Sequence, residues 1–140
     1  TFSPCFGGPF LTLHPLRYAE LLKEKMEKFD VDVYLVNTGW VGANAKSGAK
    51  RFNLPKTREI INSILGGEIE KSEFETDSYF GFQIPISLGE IDSNLLNPVR
   101  AWDNLDEYHT TAKELVQKFQ ANYKQYDLGD TAVLNAGPSL

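Results

Sequence analysis

Two short basic segments in the first half of the sequence carry the side chains best suited to ligand binding. Lys50 and Arg51 precede Thr57 and Arg58, and the two pairs bracket the predicted start of a helix. A helix N-terminus offers unpaired N–H groups and positive potential, so neighbouring cations favour an anionic ligand there. Arginine can also stack its planar guanidinium on an aromatic ring or a nucleobase. The alternative is a set of solvated cations, with Thr57 serving only as a helix cap.

The loop before Arg51 contains glycines and a lysine, as phosphate-binding loops do. Its residues are Gly42-Ala43-Asn44-Ala45-Lys46-Ser47-Gly48-Ala49-Lys50-Arg51. A phosphate-binding loop requires the pattern Gly-x-x-x-x-Gly-Lys followed by Ser or Thr. Here the spacing between Gly42 and Gly48 is one residue too long, and Ala49 stands where the lysine is needed. The match fails, which leaves either an exposed surface loop or a loop that serves the anion-facing helix start.

The sequence contains no complete set of residues for acid–base, nucleophilic or metal chemistry. Besides His14 and His109 there is one cysteine, Cys5, which is too few ligands for a structural zinc site or a histidine-rich metal centre. We expect His14 to cap or pack at a helix start, His109 to be exposed and Cys5 to be a small buried residue. An acidic run is expected to form a solvated face; it consists of Glu68, Glu70, Glu73 and Glu75.

The composition is that of an ordinary globular domain and excludes several classes of protein. The 140 residues are 41% hydrophobic and 24% charged, which excludes wholesale disorder and suits one domain. The formal net charge is -5, which argues against a nucleic-acid partner because such proteins usually carry a basic surplus. The sequence contains no apolar stretch of about 18 residues and therefore predicts no membrane span. The single cysteine favours a reducing, cytoplasmic location.

Hydrophobic periodicity predicts three amphipathic helices. Apolar residues recur at three- and four-residue spacing near residues 15–29, 57–65 and 105–123. Pro15 suits the first turn of the first helix, where its missing N–H is no loss. On the third helix, one stripe is expected to be buried; it consists of Tyr108, Ala112, Leu115, Val116, Phe119 and Tyr123.

Two strands are predicted between these helices, which makes the fold class mixed α/β with helices flanking a small sheet. Residues 31–36 are apolar on both faces and predict a buried strand. Alternation from Phe80 to Ile86 predicts a strand that is half-buried on one face, and Pro85 restricts it to an edge or a bulge. The tail from Leu128 to Leu140 is expected to cover other elements.

Several segments of this chain resemble, in order, the C-terminal portion of ATP-dependent phosphoenolpyruvate carboxykinase. No single segment is long, but their joint order is specific, and together they cover nearly the whole chain. The segments are Cys5–Leu11 with Leu13–Pro15, Tyr34–Trp40 (YLVNTGW), Lys50–Arg51 with Thr57–Arg58, Leu96–Pro98 with Trp102, and Ala136–Pro138.

The resemblance implies an activity for the complete enzyme. Oxaloacetate and ATP give phosphoenolpyruvate, ADP and carbon dioxide in gluconeogenesis, with magnesium on the nucleotide and manganese at the substrate. The family's phosphate loop, manganese ligands and oxaloacetate-binding arginines belong to an earlier part of its sequence. The resemblance therefore implies that residues 1–140 are a C-terminal domain fragment with no catalytic or metal-binding residue, inactive without the remainder of the polypeptide. The start at Thr1, with Met26 as the only methionine, also leads us to expect a piece of a longer protein.

The resemblance also implies which residues contact ATP. Arg51 matches the arginine that packs on the adenine, Phe52 the position whose backbone meets the base, and Thr57 the threonine that closes the same pocket. Phe52 stands where isoleucine or methionine is usual, and the loop between Trp40 and Arg51 is one residue longer than is common in the family. The alternative hypothesis is a non-catalytic α/β binding or interaction module whose resemblance is due to chance.

Overall fold

The structure, a computed structural model, describes residues 8–44, 47–126 and 131–140. The chain divides into two compact units, Thr1–Val36 and Asn37–Leu140. The expected burial of Cys5 and the start of the predicted tail lie outside the described residues.

The first unit contains one long helix, α1, which spans Pro15–Phe29 and confirms the predicted bounds. A short 3₁₀ turn, Gly8–Phe10, comes before it. His14 caps the helix as expected, because its Nδ1 accepts from the N–H of Leu16 at 3.4 Å.

The prediction of a buried strand at residues 31–36 is wrong. This segment has no strand assignment, and Leu35 is 75% exposed. No residue of α1 is buried either. An apolar segment becomes a buried strand only when neighbouring strands pair with it and another layer covers it. Residues 8–36 contain no strand that could do so.

The strands of the second unit form two separate two-stranded antiparallel sheets. Strand β1 (Trp40–Val41) pairs with β2 (Lys50–Arg51), and β3 (Phe74–Thr76) pairs with β4 (Gln83–Pro85). The mixed α/β class is confirmed, with two small sheets in place of one.

The predicted strand over residues 80–86 shortens to β4 because a turn occupies its first part. The carboxylate of Asp77 accepts hydrogen bonds from the N–H groups of Tyr79 and Phe80, at 2.9 Å and 2.6 Å. Phe80 therefore belongs to the turn. Pro85 lies at the end of a sheet in which both strands are edges, as the missing N–H requires.

The second unit also carries five helices in its described residues. Asn53 caps α2 through its Oδ1, which accepts from the N–H of Lys56 at 2.9 Å, so α2 begins at Leu54 rather than at residue 57 and Thr57 is not its cap. The third predicted helix is confirmed at both ends as α5. The helices are α2 (Leu54–Leu65), α3 (Ser93–Leu96), α4 (Pro98–Ala101), α5 (Leu105–Tyr123) and α6 (Thr131–Asn135), with a 3₁₀ turn at Ile69–Lys71.

The buried core of this unit consists of two groups of side chains. One group joins the segment after α2 to the segment before α3, and its members are Ile69, Leu88 and Ile91 with Ile60, Ile64 and Leu96 packed against them. The other group is the stripe Tyr108, Ala112 and Val116 on α5, spaced so that all three lie on one helix face. Leu115 and Phe119 of the predicted stripe are about 40% exposed.

Hydrogen bonds at Pro138 and Ser139 connect the C-terminal segment to the rest of this unit. The N–H of Ser139 donates to the carbonyl of Tyr79 at 2.9 Å. The side-chain amide of Gln120 on α5 donates to the carbonyl of Pro138, also at 2.9 Å.

The buried position of Val116 predicts a stability effect. Val116 is 0% exposed, so Val116→Ala should lower the free energy of unfolding by about 2 kcal/mol through lost burial and a residual cavity. The same substitution at Val33, which is 55% exposed, should change it by less than about 0.5 kcal/mol. Urea unfolding followed by circular dichroism measures both. Equal losses would contradict the exposure of residues 31–36.

The environment of Tyr108 predicts a loss of stability at high pH. Burial, with smaller contributions from Asp77 and Tyr79, raises the pKa of its phenol from 10.0 to about 12. The folded state therefore holds a proton that the unfolded state releases, so stability is retained below pH 10 and decreases between pH 10 and about 12. Tyr108→Phe removes this dependence. Urea midpoints at pH 8 and 11 should accordingly differ less in the variant, and an unchanged difference would contradict the assignment.

Candidate functional site

A cavity of about 580 Å³ lies in the second unit. That size is within the range of small-molecule sites. Three parts of the chain form its walls: the β1–β2 hairpin, the start of α2, and the region of α3 and α4. The lining residues are Val41, Gly42, Ala43, Ser47, Gly48, Lys50, Arg51, Phe52, Asn53, Lys56, Asn94, Leu95, Arg100, Ala101 and Asp103.

The β1–β2 hairpin fixes the position of the basic pair. Trp40 lies opposite Arg51 in the ladder, and Val41 lies opposite Lys50. The N–H of Phe52 donates to the carbonyl of Gly39 at 3.0 Å, which continues the pairing beyond Arg51. The backbone of the basic pair is therefore held in a fixed register against β1.

Gly42 allows the hairpin loop to approach α4 closely. Its φ is +86°, and a Cβ at this position would lie 3.0 Å from the carbonyl oxygen of Ala101. Both the backbone conformation and the lack of space require glycine. Farther along the loop, the hydroxyl of Ser47 donates to the carboxylate of Glu107 on α5 at 3.3 Å. These contacts hold the loop against α4, which lines the cavity, and against α5.

The opposite wall is held by a carboxylate that sequence reasoning assigned to a solvated face. Glu75 on β3 is half-buried and accepts from the Nδ2 of Asn97 at 2.8 Å. The Nη2 of Arg100 lies 2.8 Å and 2.9 Å from its two carboxylate oxygens. The expectation for Glu75 is therefore wrong. No local pattern in the sequence could have found this network, because Glu75 lies on a different element, 22 and 25 residues before Asn97 and Arg100.

The cavity carries a surplus of positive charge. Two of its four cations are paired, Arg100 with Glu75 at 2.8 Å and Lys56 with Glu59 at 2.9 Å. Neither Lys50 nor Arg51 has a carboxylate within ion-pair distance in residues 8–44, 47–126 and 131–140. The lining contributes one carboxylate, that of Asp103. The positive end of the α2 dipole adds to this potential, so the cavity favours an anionic ligand.

The guanidinium of Arg51 lies over an aromatic ring. Its Cζ is 5.8 Å from the centre of the Trp40 ring, within the distance at which the ring quadrupole attracts a cation. Sequence reasoning named Trp40 only as the end of a motif and gave it no role.

The structure brings two of the three predicted site residues to the cavity. Arg51 and Phe52 are among its lining residues, and Thr57 is not. Thr57 lies in the first turns of α2, half-buried, and its hydroxyl donates to the carbonyl of Asn53 at 3.1 Å. Thr57 therefore contacts a lining residue, Asn53, whose side chain caps α2, without lining the cavity itself. Arg58 is exposed and does not line the cavity.

The donor set of the cavity does not fit a divalent metal ion. Asp103 is its one acidic lining residue and stands among four cations, whereas magnesium and manganese prefer several oxygen ligands. Within the described residues, no group of three or more His, Cys, Asp or Glu side chains is placed to hold a metal.

A second cavity of about 170 Å³ is lined by residues that include Glu75 and Asn97. Its wall includes His109, exposed as expected, whose Nδ1 is 2.7 Å from the hydroxyl of Tyr79. In the part of the chain that the structure describes, no helix is long and apolar enough to span a bilayer.

Comparison with known proteins places the chain in a family. A family model described as phosphoenolpyruvate carboxykinase matches residues 1–94. Proteins named phosphoenolpyruvate carboxykinase (ATP) are similar to it. The one from Leptospira biflexa serovar Patoc is 53% identical over 92% of this chain, and the one from Caldanaerobacter subterraneus subsp. tengcongensis is 46% identical over 99%. A relative from Staphylococcus aureus is 42% identical over 90%.

The chain spans about a quarter of the length of these curated relatives, 24% to 26%. The family match removes the alternative of a chance resemblance, since it covers more than half of the chain. The chain belongs to the ATP-dependent phosphoenolpyruvate carboxykinase family.

Proposed function

We propose that residues 1–140 are a C-terminal domain fragment of an ATP-dependent phosphoenolpyruvate carboxykinase and that the larger cavity binds the adenine end of ATP. The complete enzyme converts oxaloacetate and ATP to phosphoenolpyruvate, ADP and carbon dioxide. Its proposed setting is gluconeogenesis in the cytoplasm. The names of the relatives, which specify ATP, support the choice of nucleotide.

The position of Arg51 is the observation that carries this proposal. Its guanidinium borders the cavity and has no carboxylate partner among the described residues. A guanidinium that is not neutralised keeps its flat face and its charge available for a base that carries phosphates. Lys50 and the start of α2 add positive potential beside it.

The backbone of Phe52 provides a hydrogen-bonding edge for the base. Its N–H is used by the carbonyl of Gly39 at 3.0 Å, so the carbonyl of Phe52 is the backbone group that would accept from the amino group of adenine. Thr57 anchors the carbonyl of Asn53 at 3.1 Å and is proposed to close the pocket by keeping the start of α2 in place.

This part of the protein binds and orients the nucleotide and does not perform the chemical step. The remainder of the same polypeptide would supply the phosphate loop, the ligands of magnesium and manganese, and the site for oxaloacetate. The metals would offset the charge on the transferring phosphoryl group. ATP and oxaloacetate are therefore the proposed small-molecule partners, with no nucleic-acid or membrane partner.

In the complete enzyme, Arg51→Ala should raise the KM for ATP and leave the KM for oxaloacetate nearly unchanged. Loss of one exposed stacking contact should cost about 0.5–2 kcal/mol, or roughly two- to thirtyfold in affinity. Arg51→Lys should rescue only part of the loss, because an ammonium keeps the charge without the flat face. Steady-state kinetics with each substrate varied in turn measure these effects.

Arg58→Ala is the matched control, since it removes the same charge from the exposed side of α2 without touching the cavity. We expect it to leave both KM values within about twofold of wild type, as befits an exposed charge. A rise in the KM for oxaloacetate alone on Arg51→Ala would assign Arg51 to the other substrate. If Arg51→Ala and Arg58→Ala raised the KM for ATP equally, Arg51 would act only through its charge and not through contact with the base.

The 140-residue chain on its own should have no carboxykinase activity. It lacks the phosphate-loop pattern, and without such groups the charge on the transferring phosphoryl is not offset. The test is a coupled assay on the purified chain with ATP, oxaloacetate, magnesium and manganese. Turnover above background that survives repurification would refute this expectation.

A further inference from the structure

The two arginines of the larger cavity are held in different ways. Arg100 is neutralised by the carboxylate of Glu75, at 2.8 Å. Arg51 has no such partner among the described residues and instead lies over the ring of Trp40, with Cζ 5.8 Å from the ring centre. The difference matters because a carboxylate occupies the N–H donors at the edge of a guanidinium and cancels its charge. An aromatic ring covers one face and leaves the donors, the charge and the other face available.

The hairpin places Trp40 and Arg51 together by its backbone alone. They are directly opposite residues of an antiparallel pair, and such side chains project from the same face of the ladder within contact distance. The bond from the N–H of Phe52 to the carbonyl of Gly39, at 3.0 Å, fixes this register next to the pair. The contact therefore exists before any ligand binds.

Burial does not explain why a tryptophan occupies position 40. It is 54% exposed, although indole is a costly group to leave in water. The ring contact that the structure gives it within the described residues is the one with Arg51. An exposed tryptophan on a two-residue strand adds little to a core. A role in supporting Arg51, the residue opposite it, accounts for the position of Trp40.

We infer that Trp40 is a positioning residue for ATP binding: its indole ring holds the Arg51 guanidinium flat at the cavity wall, preorganised to receive the adenine on its other face. This inference rests on the proposed function. Holding a long side chain in advance reduces the entropy lost on binding, and arginine has much rotamer freedom to lose. Trp40 thus acts on ATP through Arg51.

The test uses the complete enzyme with three single substitutions. Trp40→Leu removes the ring and should raise the KM for ATP about two- to fivefold, with kcat and the KM for oxaloacetate unchanged. Trp40→Phe keeps an aromatic face and should retain most of the affinity. Phe29→Leu is the control, since its ring also lies near a lysine, at 5.4 Å from the Lys28 Nζ, but does not line the cavity; it should leave both KM values unchanged.

The double variant Trp40→Leu/Arg51→Ala decides how Trp40 acts. Its KM for ATP should equal that of Arg51→Ala alone, because a support has no effect once the supported group is absent. The inference would be overturned if the double variant raised the KM for ATP by the product of the two single effects. It would also be overturned if Trp40→Phe and Trp40→Leu raised that KM equally. If Arg51→Ala raises the KM for ATP and Trp40→Leu does not, the inference fails and the proposed function stands. If Arg51→Ala itself has no effect on that KM, the proposed function fails and the inference with it.

Discussion

The carboxylate of Glu75 joins β3 to α4 and to the residue that precedes it through charge-assisted hydrogen bonds. It lies on β3, accepts from Asn97 just before α4, and pairs with Arg100 within α4. Asn97 is only 7% exposed, so removal of its acceptor would leave a buried amide unsatisfied at a cost of about 1–3 kcal/mol. The same carboxylate neutralises one cavity arginine. The wall of the larger cavity and the distribution of charge inside it both depend on this one group.

Local patterns in the sequence predict the helices well. The bounds of α1 and α5 follow from residues that act within one turn, such as Pro15 at the first position of α1 and the apolar stripe that contains Val116. The start of α2 was placed too late because Asn53, the residue that caps it, was not recognised as a cap. Strands depend on partners elsewhere in the chain. Residues 31–36 have a strand-like composition, but the described part of their unit offers them no partner.

The candidate site could be predicted only where resemblance pointed to it. Arg51 and Phe52, which the resemblance singled out, are among the lining residues of the cavity, whereas the residue types alone left solvated cations as an alternative. The contact between Trp40 and Arg51 arises from a ladder of two residues on each strand, which is too short to produce a periodic signal. The bonds of Glu75 span separate elements and have no signature in a linear sequence. Packing across the chain decides such contacts.

The β1–β2 hairpin separates the part of the loop that must be constant from the part that can vary. Its base is fixed by the pairing of Trp40 with Arg51 and by the close approach of Gly42 to Ala101. Adding one residue between such fixed ends costs little closure entropy and does not shift the register of the paired strands. An insertion of one residue in the loop is therefore compatible with an unchanged pairing of Trp40 with Arg51. A shift of one position in either strand, by contrast, would reverse the side on which its side chains project.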